Sequence, residues 1–209
     1  SVTVISVGGE SARDALKHAL AMGCSEAVLI SDPALAGADT LMTSQVLAAA
    51  IRKIGESEPV DLAFFGRQAI DGDMGLTGPQ TGRTLGWPVL SMVSTIRSVD
   101  PAAHKVTVER TIEEGRQSVE ASLPAVVSVI KDIGEPRYPS FMGIRKAQRA
   151  VIPTWSLADL GLAALKPAVS WPEITNPPVR EVHCEMITGA SAHEIAETLA
   201  DKIMAEKVL

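Results

Sequence analysis

Three short runs, residues 2–7, 27–30 and 60–65, are apolar at successive positions instead of every second one. A strand with that pattern is buried on both faces, which is the condition of a parallel sheet. After each run comes a stretch with helical character, at residues 11–22, 40–54 and 76–85. Glycine and proline mark the joints. Gly8-Gly9, Ser31-Asp32-Pro33 and Gly66 end the strands; Gly55, Gly86 and Pro88 stop the helices, and Ser11 stands where the first helix takes a cap. Strand alternating with helix predicts an α/β fold in which helices cover both faces of a parallel sheet.

After Trp87 the rhythm changes. Residues 89–97, 105–112 and 117–121 are strand-like and separated by Asp100-Pro101 and Glu113-Glu114-Gly115, so they predict antiparallel hairpins, and 125–130 returns to a buried apolar run. Beyond Gly134, prolines at 136, 139, 153, 167, 172, 177 and 178 leave little room for long helices or central strands. Residues 191–209 close the chain as an amphipathic helix, with Ile195, Leu199 and Ile203 on one face and Ser191 to Glu194 as a capping box. This divides the chain into a core at 1–133, a loop at 134–149 and an extended arm with a helix at 150–209. The arm carries Ile152, Trp155, Leu157, Leu160, Leu162 and Trp171, too many apolar groups to leave in water, so the expectation is that it packs on another chain.

Composition removes several functions. A net charge of −6 disfavours wrapping nucleic-acid phosphates, and an aromatic content of 3% leaves no platform for stacking bases. No apolar run approaches the ~18 residues of a membrane span. The N-terminal Ser-Val-Thr-Val-Ile-Ser-Val lacks a basic segment and a cleavage site, and reads as a strand, not a signal peptide. Cys24 and Cys184 lie far apart with no metal-ligand spacing, which suits a reducing compartment and a soluble interior protein. His18, His104, His183 and His193 are scattered, and neither Ser191 nor Cys184 sits in a nucleophile motif. Trp87, Trp155 and Trp171 lie at or near prolines, as packing residues of a turn or arm do.

The chemistry concentrates in residues 66–79, where a parallel strand ends and a helix begins, which is where open α/β sheets bind ligands. Gly66, Gly72, Gly75 and Gly78 permit close backbone approach, and the amides of a helix start form an anion site. Two readings stand side by side: a nucleotide-phosphate loop, and a tight loop whose Asp71 and Asp73 cap the helix. Neither a Walker A nor a G-x-G-x-x-G pattern is present.

The run G-R-Q-A-I-D-G-D-x-x-x-T-G-P, followed by T-L-G-W-P, L-P-A-V-V and E-P-R-Y-P, with the Ser6-Val7-Gly8 turn, resembles the β subunit of electron-transfer flavoprotein over nearly the whole chain. The resemblance implies a three-layer parallel-sheet, Rossmann-like core of the adenine-nucleotide α-hydrolase kind, paired with an α subunit in a heterodimer. It implies FAD shared with that subunit, and AMP or a second FAD in the β-subunit site. Lining that site would be Val7 and the loop Gly66, Arg67, Gln68, Ala69, Ile70, Asp71, Gly72, Asp73, Met74, Gly75, Leu76 and Thr77, with the phosphate on the amides of 73–77. Asp71-Gly72-Asp73 and Gly78-Pro79 match electron-bifurcating members, whereas Met74-Gly75-Leu76-Thr77 match neither kind, so AMP and FAD both stand. The family also opens with a central strand and about fifty residues that have no counterpart in these 209 residues.

Residues 135–149 resemble the family's recognition loop, which anchors an acyl-CoA dehydrogenase or a similar flavoenzyme. Phe141 would be the anchor, with Tyr138, Met142, Ile144, Arg145 and Lys146 around it; the plainer reading packs Phe141 on its own core. The function implied is an electron carrier with no bond-breaking chemistry of its own, cytoplasmic or in the mitochondrial matrix. A stand-alone adenine-nucleotide sensor of the universal-stress-protein type is the alternative, and an adenylate-transferring enzyme ranks behind both.

Overall fold

The apolar runs do become parallel strands. In the computed structural model, which describes residues 1–206 apart from 164, 171–172, 174 and 180–183, β1 (Thr3–Val7) pairs with β2 (Glu26–Ile30) from Thr3↔Glu26 to Val7↔Ile30. Between them runs α1 (Ala12–Ala21), and α2 (Thr40–Gly55) follows. β1 and β2 are apolar on both faces because helices lie on both. Val4, Ala27 and Leu29 pack with Leu16 of α1; Ile5, Val7, Val28 and Ile30 pack with Met42, Val46 and Ala50, spaced four apart along α2.

A second sheet has the order β3-β7-β4-β5-β6. β3 (Leu62–Gly66) and β7 (Ala125–Val129) are parallel, as are β7 and the start of β4 (Val89–Asp100); β5 (Lys105–Ile112) and β6 (Gly115–Ser122) add the expected antiparallel hairpins. Between β3 and β4, α3 (Thr77–Leu85) crosses over. It packs against the start of β4 and against β7 so closely that a Cβ on Gly82 would stand 2.3 Å from Val89 Cγ2 and 3.3 Å from Val126 Cβ.

The parallel strands fall into two sheets. β1 pairs only with β2, and β3 only with β7, among the described residues. Both border α2: Ile5 of β1 packs on the cluster that joins Ile51 of α2 to Ala63 of β3. Gly8 N bonds Ile30 O, so by alternation the amides of Ile5 and Val7 point to the open side of β1. Phe64, on β3, is 53% exposed, which a strand buried on both faces does not allow.

The segment after Gly134 departs from expectation. Residues 141–149 form α4 (Phe141–Arg149), which packs on α1, and β8 (Thr154–Trp155) joins the first sheet in parallel beside β2 through Leu29↔Thr154 and Ile30↔Trp155. Ile152 and Leu157 are buried in the core, and Trp155, Leu160 and Leu162 pack against it. The expected arm over 150–209, packed on another chain, is thus corrected for 150–163, which complete the chain's own core. Proline excludes central strands but permits a short edge strand, and Pro153 offers its carbonyl to Leu29 N at 3.0 Å. The compact unit is Ser1–Trp171, and Pro172–Leu209 forms a separate unit. In the latter, α5 (Ala192–Ala205) is capped by Ser191, whose Oγ accepts from Glu194 N at 3.2 Å. Trp171 and His183 lie outside the described residues. Ser11 makes no side-chain cap: its backbone is already helical, at φ −61° and ψ −24°.

Candidate functional site

The C-terminal end of β3 carries a cleft of about 410 Å³ between that strand and α3. Gly66, Arg67, Gln68, Ala69, Gly72, Asp73, Met74, Gly75 and Thr77 line it, as do Thr40, Phe65 and Gly78. Of the loop residues named from sequence, Ile70, Asp71 and Leu76 face elsewhere, and Ile70 is fully exposed at 100%. Val7 packs in the core beneath α2 and does not line the cleft. Sequence reading missed Thr40, the first residue of the helix that follows β2, and Phe65, the last side chain of β3 before the glycine.

Two internal contacts shape the loop. Asp73 N donates to Ala69 O at 2.9 Å, closing a turn, and the Gln68 side-chain amide donates to the Asp73 carboxylate. Asp73 and Gly75 have φ of +49° and +63°, and a Cβ on Gly75 would approach Arg67 O to 3.4 Å, so the backbone here is both left-handed and tightly folded.

The aspartates do not cap α3. Asp71 Oδ1 accepts from Gly72 N at 2.9 Å, Asp73 is engaged by Gln68, and the N-cap position is Leu76, which has no side-chain bond to the helix. The capping reading of the loop is overturned on that geometry. Thr77 Oγ1 makes none of the described hydrogen bonds either, and its carbonyl accepts from Thr81 Oγ1 at 2.7 Å. Pro79 has no N–H, and Gln80 N is taken by Leu76 O at 2.9 Å. The amides of Thr77 and Gly78 are left without a partner among the described residues, at the positive end of a helix that opens onto the cleft. Such an end accepts an anionic group, with Arg67 available beside it. Gly78 brings α3 against the Phe65 ring, where a Cβ would come within 3.1 Å.

A second exposed feature lies on α4. Ser140 Oγ caps the helix by accepting from Gly143 N at 3.0 Å. Ala147 is buried against the body, whereas Tyr138, Phe141, Met142, Arg145 and Lys146 are exposed and Ile144 is 39% exposed. Phe141, at 73% exposed, does not pack on its own core, and the plainer reading of that residue is set aside. No cluster of His, Cys, Asp and Glu suited to a metal ion occurs among the described residues, nor is any described helix long and apolar enough to cross a membrane.

Fold and cleft together define an α/β protein in which the uncapped start of α3 opens onto a cleft beside the end of β3. Residues 1–160 match the electron transfer flavoprotein domain. The chain is 36% identical over 212 residues to the caffeyl-CoA reductase–Etf complex subunit CarD of Acetobacterium woodii, covering all of this chain and 79% of that protein. It is 34% identical over 219 residues to the electron transfer flavoprotein subunit beta of Megasphaera elsdenii, again with all of this chain and 79% of the relative. Protein FixA of Azotobacter vinelandii is 40% identical over 162 residues, 78% of this chain and 58% of that one. The chain belongs to the electron transfer flavoprotein family and aligns with its β subunits.

Proposed function

We propose that this chain is the β subunit of a heterodimeric electron transfer flavoprotein, holding a nucleotide in the cleft between β3 and α3 and passing electrons between dehydrogenases and a downstream acceptor. The observation that supports the nucleotide most directly is the uncapped start of α3, where the Thr77 and Gly78 amides face the cleft beside the left-handed turn at Gly75. A phosphate of AMP or FAD fits there: the amides supply donors, Thr77 Oγ1 adds a hydroxyl, and Gly75 lets the backbone approach without a side chain between. Flavin, when bound, supplies the redox chemistry. This chain's residues bind, orient and shield the nucleotide, and they break no bond themselves.

The exposed face of α4 suits docking of a flavoenzyme of the acyl-CoA dehydrogenase kind, through Phe141 and Met142 as apolar anchors and Arg145 and Lys146 as cationic steering groups. A cytoplasmic or mitochondrial-matrix setting is the one such a carrier needs. The test is purification with its α subunit, followed by counting FAD and AMP released on denaturation. A yellow two-chain complex carrying one nucleotide per β chain supports the reading, and Gly75→Val should lower that content. A colourless chain with no nucleotide, or unchanged content in Gly75→Val, contradicts it.

A further inference from the structure

The Asp39 carboxylate gathers three backbone amides from two distant parts of the chain. Its Oδ1 accepts from Met42 N at 2.7 Å and caps α2. Its Oδ2 accepts from Ala168 N at 2.6 Å and from Val169 N at 2.8 Å. Other core side chains reach the main chain of the same returning segment: Arg13 donates to Ile152 O at 2.8 Å, Asp32 Oδ2 accepts from Leu157 N at 3.1 Å, and Lys53 donates to Asp159 O at 2.8 Å. Among these, Asp39 alone also caps a helix at the cleft, since Thr40, the next residue, lines it. It is also the attachment nearest the end of the unit Ser1–Trp171. Apolar packing does not hold residues 168 and 169 in place. The Val169 side chain is 54% exposed, so the two amides on one carboxylate oxygen are what fix them.

We propose that Asp39 is a clasp: it fixes the point from which the chain leaves the core unit, and it couples residues 168–169 to the cleft wall through the first turn of α2. The coupling rests on the nucleotide reading of the cleft; the clasp does not. Asp39 acts as a positioning residue, with no contact of its own in the cleft.

The side chain's two roles can be separated. Ser and Asn both cap helices with one oxygen, but neither offers a second acceptor to the amides of 168 and 169. Asp39→Ser and Asp39→Asn in the full chain should therefore keep α2 while releasing the clasp. The measurement is hydrogen exchange over residues 165–170, alone and with AMP or FAD added in turn. Exchange at Ala168 and Val169 should quicken roughly tenfold or more in both variants while α2 stays protected. Nucleotide should slow that exchange in the parent chain and leave the variants unaffected. Equal exchange in parent and variants would overturn the clasp. An equal response to nucleotide would overturn the coupling. Binding of neither AMP nor FAD would sink the nucleotide reading and the coupling together, while the first comparison still decides the clasp.

Discussion

Gly143 of α4 lies so close to Ala21 at the end of α1 that a Cβ built on it would stand 2.4 Å from the Ala21 carbonyl oxygen. The exposed face bearing Phe141 and Met142 is thus held by a main-chain contact that tolerates no side chain. Gly143→Ala must push α4 outward or distort the end of α1, an overpacking cost of ~1–3 kcal/mol. Chemical denaturation of the variant measures it, and undiminished stability would show that the two helices part freely.

A second close approach sets α3 against the sheet. With Val89 Cγ2 at 2.3 Å and Val126 Cβ at 3.3 Å from a Cβ on Gly82, Gly82→Ala should cost ~1–3 kcal/mol and shift the helix that carries the Thr77 and Gly78 amides. Gly55, the last residue of α2, has open space around it and no left-handed φ, so Gly55→Ala should instead stabilise by about 0.5–1 kcal/mol. Opposite signs for two identical substitutions, read in one set of melting curves, are the expected outcome.

Much of this was legible because the signals were local. The strands β1, β2 and β3 show in consecutive apolar residues, and the cleft loop shows in its glycines at a strand-to-helix joint. What escaped depends on distant pairing. Residues 154–155 carry no strand pattern of their own, and they become β8 only because Leu29 and Ile30 offer an edge. Proline spacing suggested an arm detached from the core, yet the same segment has Ile152 and Leu157 at positions that fill opposite faces of the first sheet. The loop aspartates looked like caps because spacing cannot tell which carboxylate turns toward the helix and which toward Gln68 or Gly72.

Leu157 tests the corrected role of that segment. It is 2% exposed beneath α2, in the cluster with Val28, Ile30 and Met42. Leu157→Ala should destabilise the isolated chain by ~2–5 kcal/mol, the range for a buried leucine. If stability fell only when the α subunit was present, the segment would belong to the interface and not to the core.

Acid sensitivity should arise in the antiparallel extension. Glu109 of β5 pairs with Arg97 of β4 and Arg116 of β6, and the hydrogen bond from Arg97, with the two guanidinium charges, holds its carboxyl below the ordinary value of 4.5. A depressed folded-state pKa contributes stability that is present above 4.5 and is lost as pH falls through the lower, folded value. Glu109→Gln should therefore narrow the gap in stability between neutral and acid pH. Melting temperatures taken across that range check it, and parallel curves for parent and variant would exclude Glu109 as a source of the acid limb.

Phe141 tests the docking proposed for α4. Its ring is 73% exposed at the first turn of α4, so truncation removes little buried area and Phe141→Ala should change stability by no more than about 0.5 kcal/mol. An aromatic anchor that becomes buried only in the complex costs ~2 kcal/mol or more on truncation, about a thirtyfold loss of affinity. The variant complex should accept electrons from an acyl-CoA dehydrogenase with a raised half-saturation concentration and an unaltered melting temperature. Arg145→Ala and Lys146→Ala serve as companions: if the proposed steering holds, they should reduce the association rate at low salt and matter less at high salt. A large drop in melting temperature for Phe141→Ala, with electron transfer intact, would move the ring from the docking face into the fold.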